Sequence, residues 1–101
     1  MKRRNKDLTG RKIMRALKKC GEVLRKYKVK KIGLFGSYVR DEQCKNSDVD
    51  ILVEFSKPVG LEFFTLENYL SEMLGVRVEL VTKGALKPIF RRNILKEARM
   101  L

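Results

Sequence analysis

Histidine is absent from the 101-residue chain. Without it no Ser-His or Cys-His nucleophile pair can form within the chain, and zinc sites of the Cys/His type lack their ligands. Cysteine is scarce: Cys20 and Cys44 fall far short of a disulfide framework. Cys20 falls at an apolar position of an expected helix and reads as a small core residue, whereas Cys44 lies in a polar loop. No apolar run approaches the roughly 20 residues needed to cross a membrane. The basic start, Met1 to Asp7, is followed by no signal-peptide core. A cytoplasmic location with no membrane partner is therefore expected. Any acid–base or metal chemistry must use carboxylates, hydroxyls, lysines or arginines.

With 44% hydrophobic and 36% charged residues, the chain has the composition of a globular protein rather than a disordered one. Its length suits one domain, 1–101, with residues 1–8 as a basic, frayed tail. The net charge of +12 is uneven. Residues 1–31 hold 14 Lys and Arg against Asp7 and Glu22, which is +12, while residues 32–101 hold 10 of each sign. Such a field favours an anionic partner, although a solvated helix face explains it as well.

Residues 9–27 read as one amphipathic helix capped by Thr9, with Ile13, Leu17, Cys20, Leu24 and Tyr27 on its apolar face and Gly21 as a weak point. Lys31 to Phe35 is a short strand ending at Gly36, and Tyr38-Val39-Arg40 suits a turn or more of helix. Residues 41–47 read as a loop, and Val49 to Phe55 as a second strand. Leu61 to Leu74 places Phe63, Leu66, Leu70 and Met73 on one helical face, stopped by Gly75. Val76 to Val81 is a third strand. Pro88 opens a last helix striped by Phe90, Ile94, Ala98 and Leu101. The expected fold is α/β (α+β), order αβαβαβα, with about three strands covered by helices. The link from Gly36 to Asp48 is short for a crossover helix, so the sheet is expected to be mixed.

Gly36-Ser37 at a strand end offers close backbone approach, free N–H groups and a hydroxyl, all suited to phosphate. Arg40 follows three residues later on roughly the same face. Alone this is ordinary capping. The continuation is less ordinary. Asp48 and Asp50, one residue apart at the head of a strand, project to one face, while Val49, Ile51 and Val53 project to the other. Side by side, the two acids repel unless a cation lies between them, and Mg²⁺ binds carboxylate and phosphate oxygens together. Glu79, flanked by Val78 and Leu80, is the candidate third carboxylate for a two-metal site. Glu54 shares parity with Asp50 but stands about 13 Å away along an extended strand, and reads as surface.

Gly36-Ser37-Tyr38-Val39-Arg40 followed by Ser47-Asp48-Val49-Asp50-Ile51-Leu52-Val53 resembles the signature of the DNA polymerase β-like nucleotidyltransferase superfamily. Within it the chain resembles the minimal nucleotidyltransferases, the MNT proteins of prokaryotic HEPN/MNT toxin–antitoxin pairs. The likeness extends to Lys31 to Phe35 and to Leu80 to Pro88. It implies that Gly36 and Ser37 hold the triphosphate of ATP, supported by Arg40. It also implies that Asp48 and Asp50 hold Mg²⁺, as two ions, with Glu79 where the family often has aspartate. Glutamate is one methylene longer, which bears on metal geometry. The implied partner is a HEPN-type toxin carrying a tyrosine that accepts AMP.

Two other functions fit the residues. The chain could neutralise a partner by contact alone, with the nucleotide site idle. It could instead bind nucleic acid through residues 1–31, but Tyr27 is the only aromatic there, so base stacking is poorly provided for.

Overall fold

The computed structural model describes residues 7–44 and 46–101. Residues 1–6 of the expected frayed tail, and Lys45 in the loop, lie outside the described residues. Leu8, assigned to that tail from sequence, is instead buried in the core.

Helix α1 spans Gly10–Lys19, and the Thr9 hydroxyl accepts the Lys12 N–H at 3.2 Å, as a cap should. The single helix expected over 9–27 breaks at Cys20, whose N–H turns back to the Leu17 carbonyl at 3.1 Å. A short α2, Gly21–Lys26, follows. Glycine at position 21 makes continuing the first helix less favourable, yet the apolar spacing survives the break: Ile13, Leu17, Cys20 and Leu24 are all buried.

Strand β1 (Val29–Phe35) pairs antiparallel with β2 (Val49–Phe55), bringing Leu34 opposite Ile51 and Phe35 opposite Asp50. Helix α3 (Glu62–Leu74) ends in a left-handed Gly75 and returns the chain to β3 (Val78–Thr82). β3 lies parallel to β2, with Asp50 opposite Glu79. A single-turn 3₁₀ segment, Lys83–Ala85, precedes α4 (Pro88–Glu97). The sheet is therefore mixed, as the short Gly36–Asp48 link implied.

Three further details differ from expectation. The sheet has four strands, not three. Arg99–Met100 forms β4, antiparallel to β1 on its outer side, giving the order β3-β2-β1-β4. The anticipated helical stripe is accordingly cut short: α4 stops at Glu97, and the Leu101 N–H bonds to the Ile32 carbonyl at 2.8 Å. Gly33 makes this docking possible, because a Cβ there would stand 2.6 Å from the Arg99 carbonyl oxygen. Finally, Tyr38-Val39-Arg40 is a turn rather than a helix, with the Val39 and Arg40 N–H groups both closing on the Gly36 carbonyl.

One face of the sheet carries Ile32, Leu34, Val49, Ile51, Val53, Val78 and Leu80 against α1, α2 and α3. On the other, Phe35, Leu52 and Leu86 form a smaller cluster bordered by Ile94 and Ala98 of the C-terminal segment. Phe90, placed on the same stripe from sequence, is 54% exposed. No helix of the described residues is long and apolar enough to cross a membrane.

Candidate active site

Alternation along β2 puts Asp48, Asp50 and Leu52 on one face and buries Val49, Ile51 and Val53 on the other. The acids thus emerge on the α4 side, where β1 ends and β2 and β3 begin. The approach to Asp48 is fixed by a reciprocal pair: the Ser47 hydroxyl accepts the Cys44 N–H at 2.7 Å, and the Ser47 N–H reaches the Cys44 carbonyl at 3.0 Å.

Gly36 terminates β1 with φ of +82°, a region open to glycine and costly for residues with a Cβ. Any Cβ there would also collide with the Asp50 carboxylate, whose Cγ would lie 3.2 Å away. Backbone and acid are thereby packed together, and Ser37 sits half-buried in the turn beside them.

Asp50 is half-buried, and its pKa is raised from 3.8 to about 6. Burial contributes most, followed by the charges of Glu79 and Asp48, while Arg40 opposes them. Among the described residues, no three His, Cys, Asp or Glu side chains form a cluster able to hold a metal ion. Glu79 is in register with Asp50 and acts on it electrically, but its exposed side chain does not complete a triad with Asp48 and Asp50 here. The pair Asp48/Asp50 fits a divalent cation by its donor chemistry, since a cation would offset both the burial and the neighbouring acids that raise Asp50. Glu54 stands apart at the surface, paired with Lys30 at 3.4 Å.

Two residues at this site escaped sequence reasoning. Arg40 donates through Nε to Glu42 at 2.7 Å and through Nη1 to Glu97 at 2.5 Å, contacts that raise its pKa in that order. Glu97 also accepts the Gly36 N–H at 3.2 Å. Glu42 is close to Arg40 in the chain and could have been found by proximity. Glu97, 57 residues on, carried no local signal.

A glycine turn against paired aspartates at the mouth of a mixed sheet is suited by its chemistry to phosphate and metal, the requirements of a nucleotidyltransferase. The sequence profile of the nucleotidyltransferase domain matches residues 15–101, and the chain belongs to that family. A protein of Methanocaldococcus jannaschii, provisionally named a protein adenylyltransferase, is 54% identical over 81 residues, covering 77% of this chain and 83% of its own. Protein adenylyltransferase MntA of Thermococcus cleftensis is 48% identical over 86 residues, covering 84% and 85%. Among solved structures, a minimal nucleotidyltransferase superposes with a TM-score of 0.79 at 27% identity, covering 94% of this chain and 98% of that one. A toxin–antitoxin complex with AMP-PNP contains a chain that superposes at 0.68, also at 27% identity, covering 82% and 69%.

Proposed function

We propose that this enzyme transfers AMP from ATP to a hydroxyl group, a tyrosine of a HEPN-type toxin, and so acts as the toxin's antitoxin in the cytoplasm. The observation that carries the reading is the close approach of Gly36 and Asp50 at one end of the sheet, where Asp48 projects to the same face and Asp50 stands in register with Glu79. Relatives named protein adenylyltransferases, and a toxin–antitoxin structure holding AMP-PNP, support the nucleotide and the partner class. Exposed apolar side chains at Leu61, Phe64, Ile89 and Phe90 are consistent with a protein partner.

In the proposed reaction the acceptor oxygen attacks the α-phosphorus in line. The new O–P bond forms as the bond to the β,γ-diphosphate breaks; pyrophosphate leaves, and the hydroxyl proton passes to solvent or a neighbouring base. Gly36 and Ser37 seat the phosphates, and Arg40 adds positive charge beside them. Asp48 and Asp50, with Glu79 as the third carboxylate, are the residues that would hold Mg²⁺. When bound, the two ions would supply acidification of the acceptor hydroxyl and charge neutralisation of the triphosphate.

The test is incubation with ATP labelled at the α-phosphate, Mg²⁺ and the protein encoded beside this one. Label should move to that partner and be lost when Asp48→Ala and Asp50→Ala are combined. Absence of transfer, or transfer surviving the double substitution, sinks the proposal. A double variant that still neutralises the partner would identify a contact-only antitoxin.

A further inference from the structure

The donors best placed to meet a phosphate are already held by a carboxylate. Glu97 is the last residue of α4, and its two oxygens divide between the Gly36 N–H at 3.2 Å and Arg40 Nη1 at 2.5 Å. One backbone donor and one guanidinium donor facing two oxygens of a single anionic group is how a phosphate would be gripped. Glu97 is fixed from both directions along the chain. Before it, α4 lies over the Phe35–Leu52–Leu86 cluster; after it, β4 pairs with β1 through Leu34 and Gly33. Its side chain is only 21% exposed. The Asp50 carboxylate approaches Gly36 from β2, so Gly36 lies between two acids.

We infer that Glu97 is a built-in occupant of the phosphate cradle, which the triphosphate must displace from Gly36 and Arg40 in order to bind. The inference rests on reading this site as a triphosphate cradle. Displacement breaks two hydrogen bonds, one of them between full charges, and brings a polyanion to the place of an anion. Glu97 therefore weakens nucleotide binding without touching the reacting atoms. If it served instead to position Arg40, its removal would weaken binding.

Isothermal titration of the full chain with α,β-methylene-ATP and Mg²⁺, and separately with tripolyphosphate, distinguishes these roles. Glu97→Gln removes the charge and keeps the shape; Glu97→Ala removes both. Each variant is expected to bind both probes roughly three- to tenfold more tightly, because a charge-assisted contact no longer has to be broken. Circular dichroism melts check folding, and the isosteric Gln variant decides the matter if Ala unfolds. Affinity unchanged within about twofold, or weakened, overturns the inference. If the native chain binds and transfers label while neither variant binds more tightly, this inference alone fails. If neither the native chain nor the variants bind either probe, the cradle reading fails with it.

Discussion

Gly36 and Asp50 are bound into one constraint: a left-handed turn with an acid pressed against its backbone. Gly36→Ala meets both the backbone penalty and the collision, and should destabilise the fold by about 1–3 kcal/mol while suppressing nucleotide binding. Urea unfolding and titration with α,β-methylene-ATP would read the two effects, and an unchanged midpoint would contradict the account. Asp50 has the opposite character. Its folded pKa, about 6, lies above the ordinary 3.8, so the folded chain holds this proton more tightly than the unfolded one. That contribution to stability is whole below about pH 4 and is lost as pH rises through about 6. In metal-free protein at pH 8, Asp50→Asn should therefore be more stable than the native chain, by about 1–2 kcal/mol after allowance for the solvent-facing half of the side chain. Thermal melts of the two proteins should converge near pH 4. A gap that persists there would show that burial of the Asp50 charge beside its acidic neighbours is not its source.

At the scale of elements, β3 is an edge strand, yet its outward N–H groups are not left bare. Ser71 Oγ accepts the Val78 N–H at 2.9 Å and Glu67 accepts the Leu80 N–H at 2.8 Å, both from α3. Glu67→Ala should cost about 1.5–3 kcal/mol in denaturant unfolding, the range for hydrogen bonds to charged acceptors, and Glu67→Gln less. Equal losses for the two would remove charge from the explanation. These contacts also mark how far the sequence was legible. Strands β1 to β3, the Thr9 cap, the Gly75 stop and Pro88 at the head of α4 follow from local patterns, and so does the projection of Asp48 and Asp50 to one face. β4 was invisible because Arg99–Met100 has no strand pattern of its own and exists by pairing with β1 above Gly33. Glu97 was invisible for the same reason: a long-range contact brought it to Gly36 and Arg40, whereas in sequence it is an ordinary acid within the last helix. Glu79 stood out in sequence through its unusual place between apolar neighbours, but the absence of a triad among the described residues could not be read from spacing.

The whole molecule divides its charge by region. Arg11, Lys12, Arg15, Lys18, Lys19, Arg25 and Lys26 are all exposed on α1 and α2, across the sheet from the acids. Any polyanion binding by this face would be electrostatic and should decline steeply between about 50 and 200 mM salt. Lys18→Glu combined with Lys19→Glu should weaken it while shifting stability by less than about 0.5 kcal/mol. Fluorescence anisotropy with a labelled single-stranded RNA would measure both salt dependence and loss, and salt-insensitive binding would contradict the electrostatic account. The mixed sheet bears on the order of assembly as well. β1 and β2 are joined by a short link and pair antiparallel, so Asp48 and Asp50 can be set in place by a comparatively local event. Glu79 reaches Asp50 only when α3 has folded and β3 docks parallel to β2. The electrical opposition to forming this site is thus concentrated in a late folding step. Refolding of metal-free protein, followed by stopped flow, should be faster at pH 5 than at pH 8, and Glu79→Gln should narrow the difference.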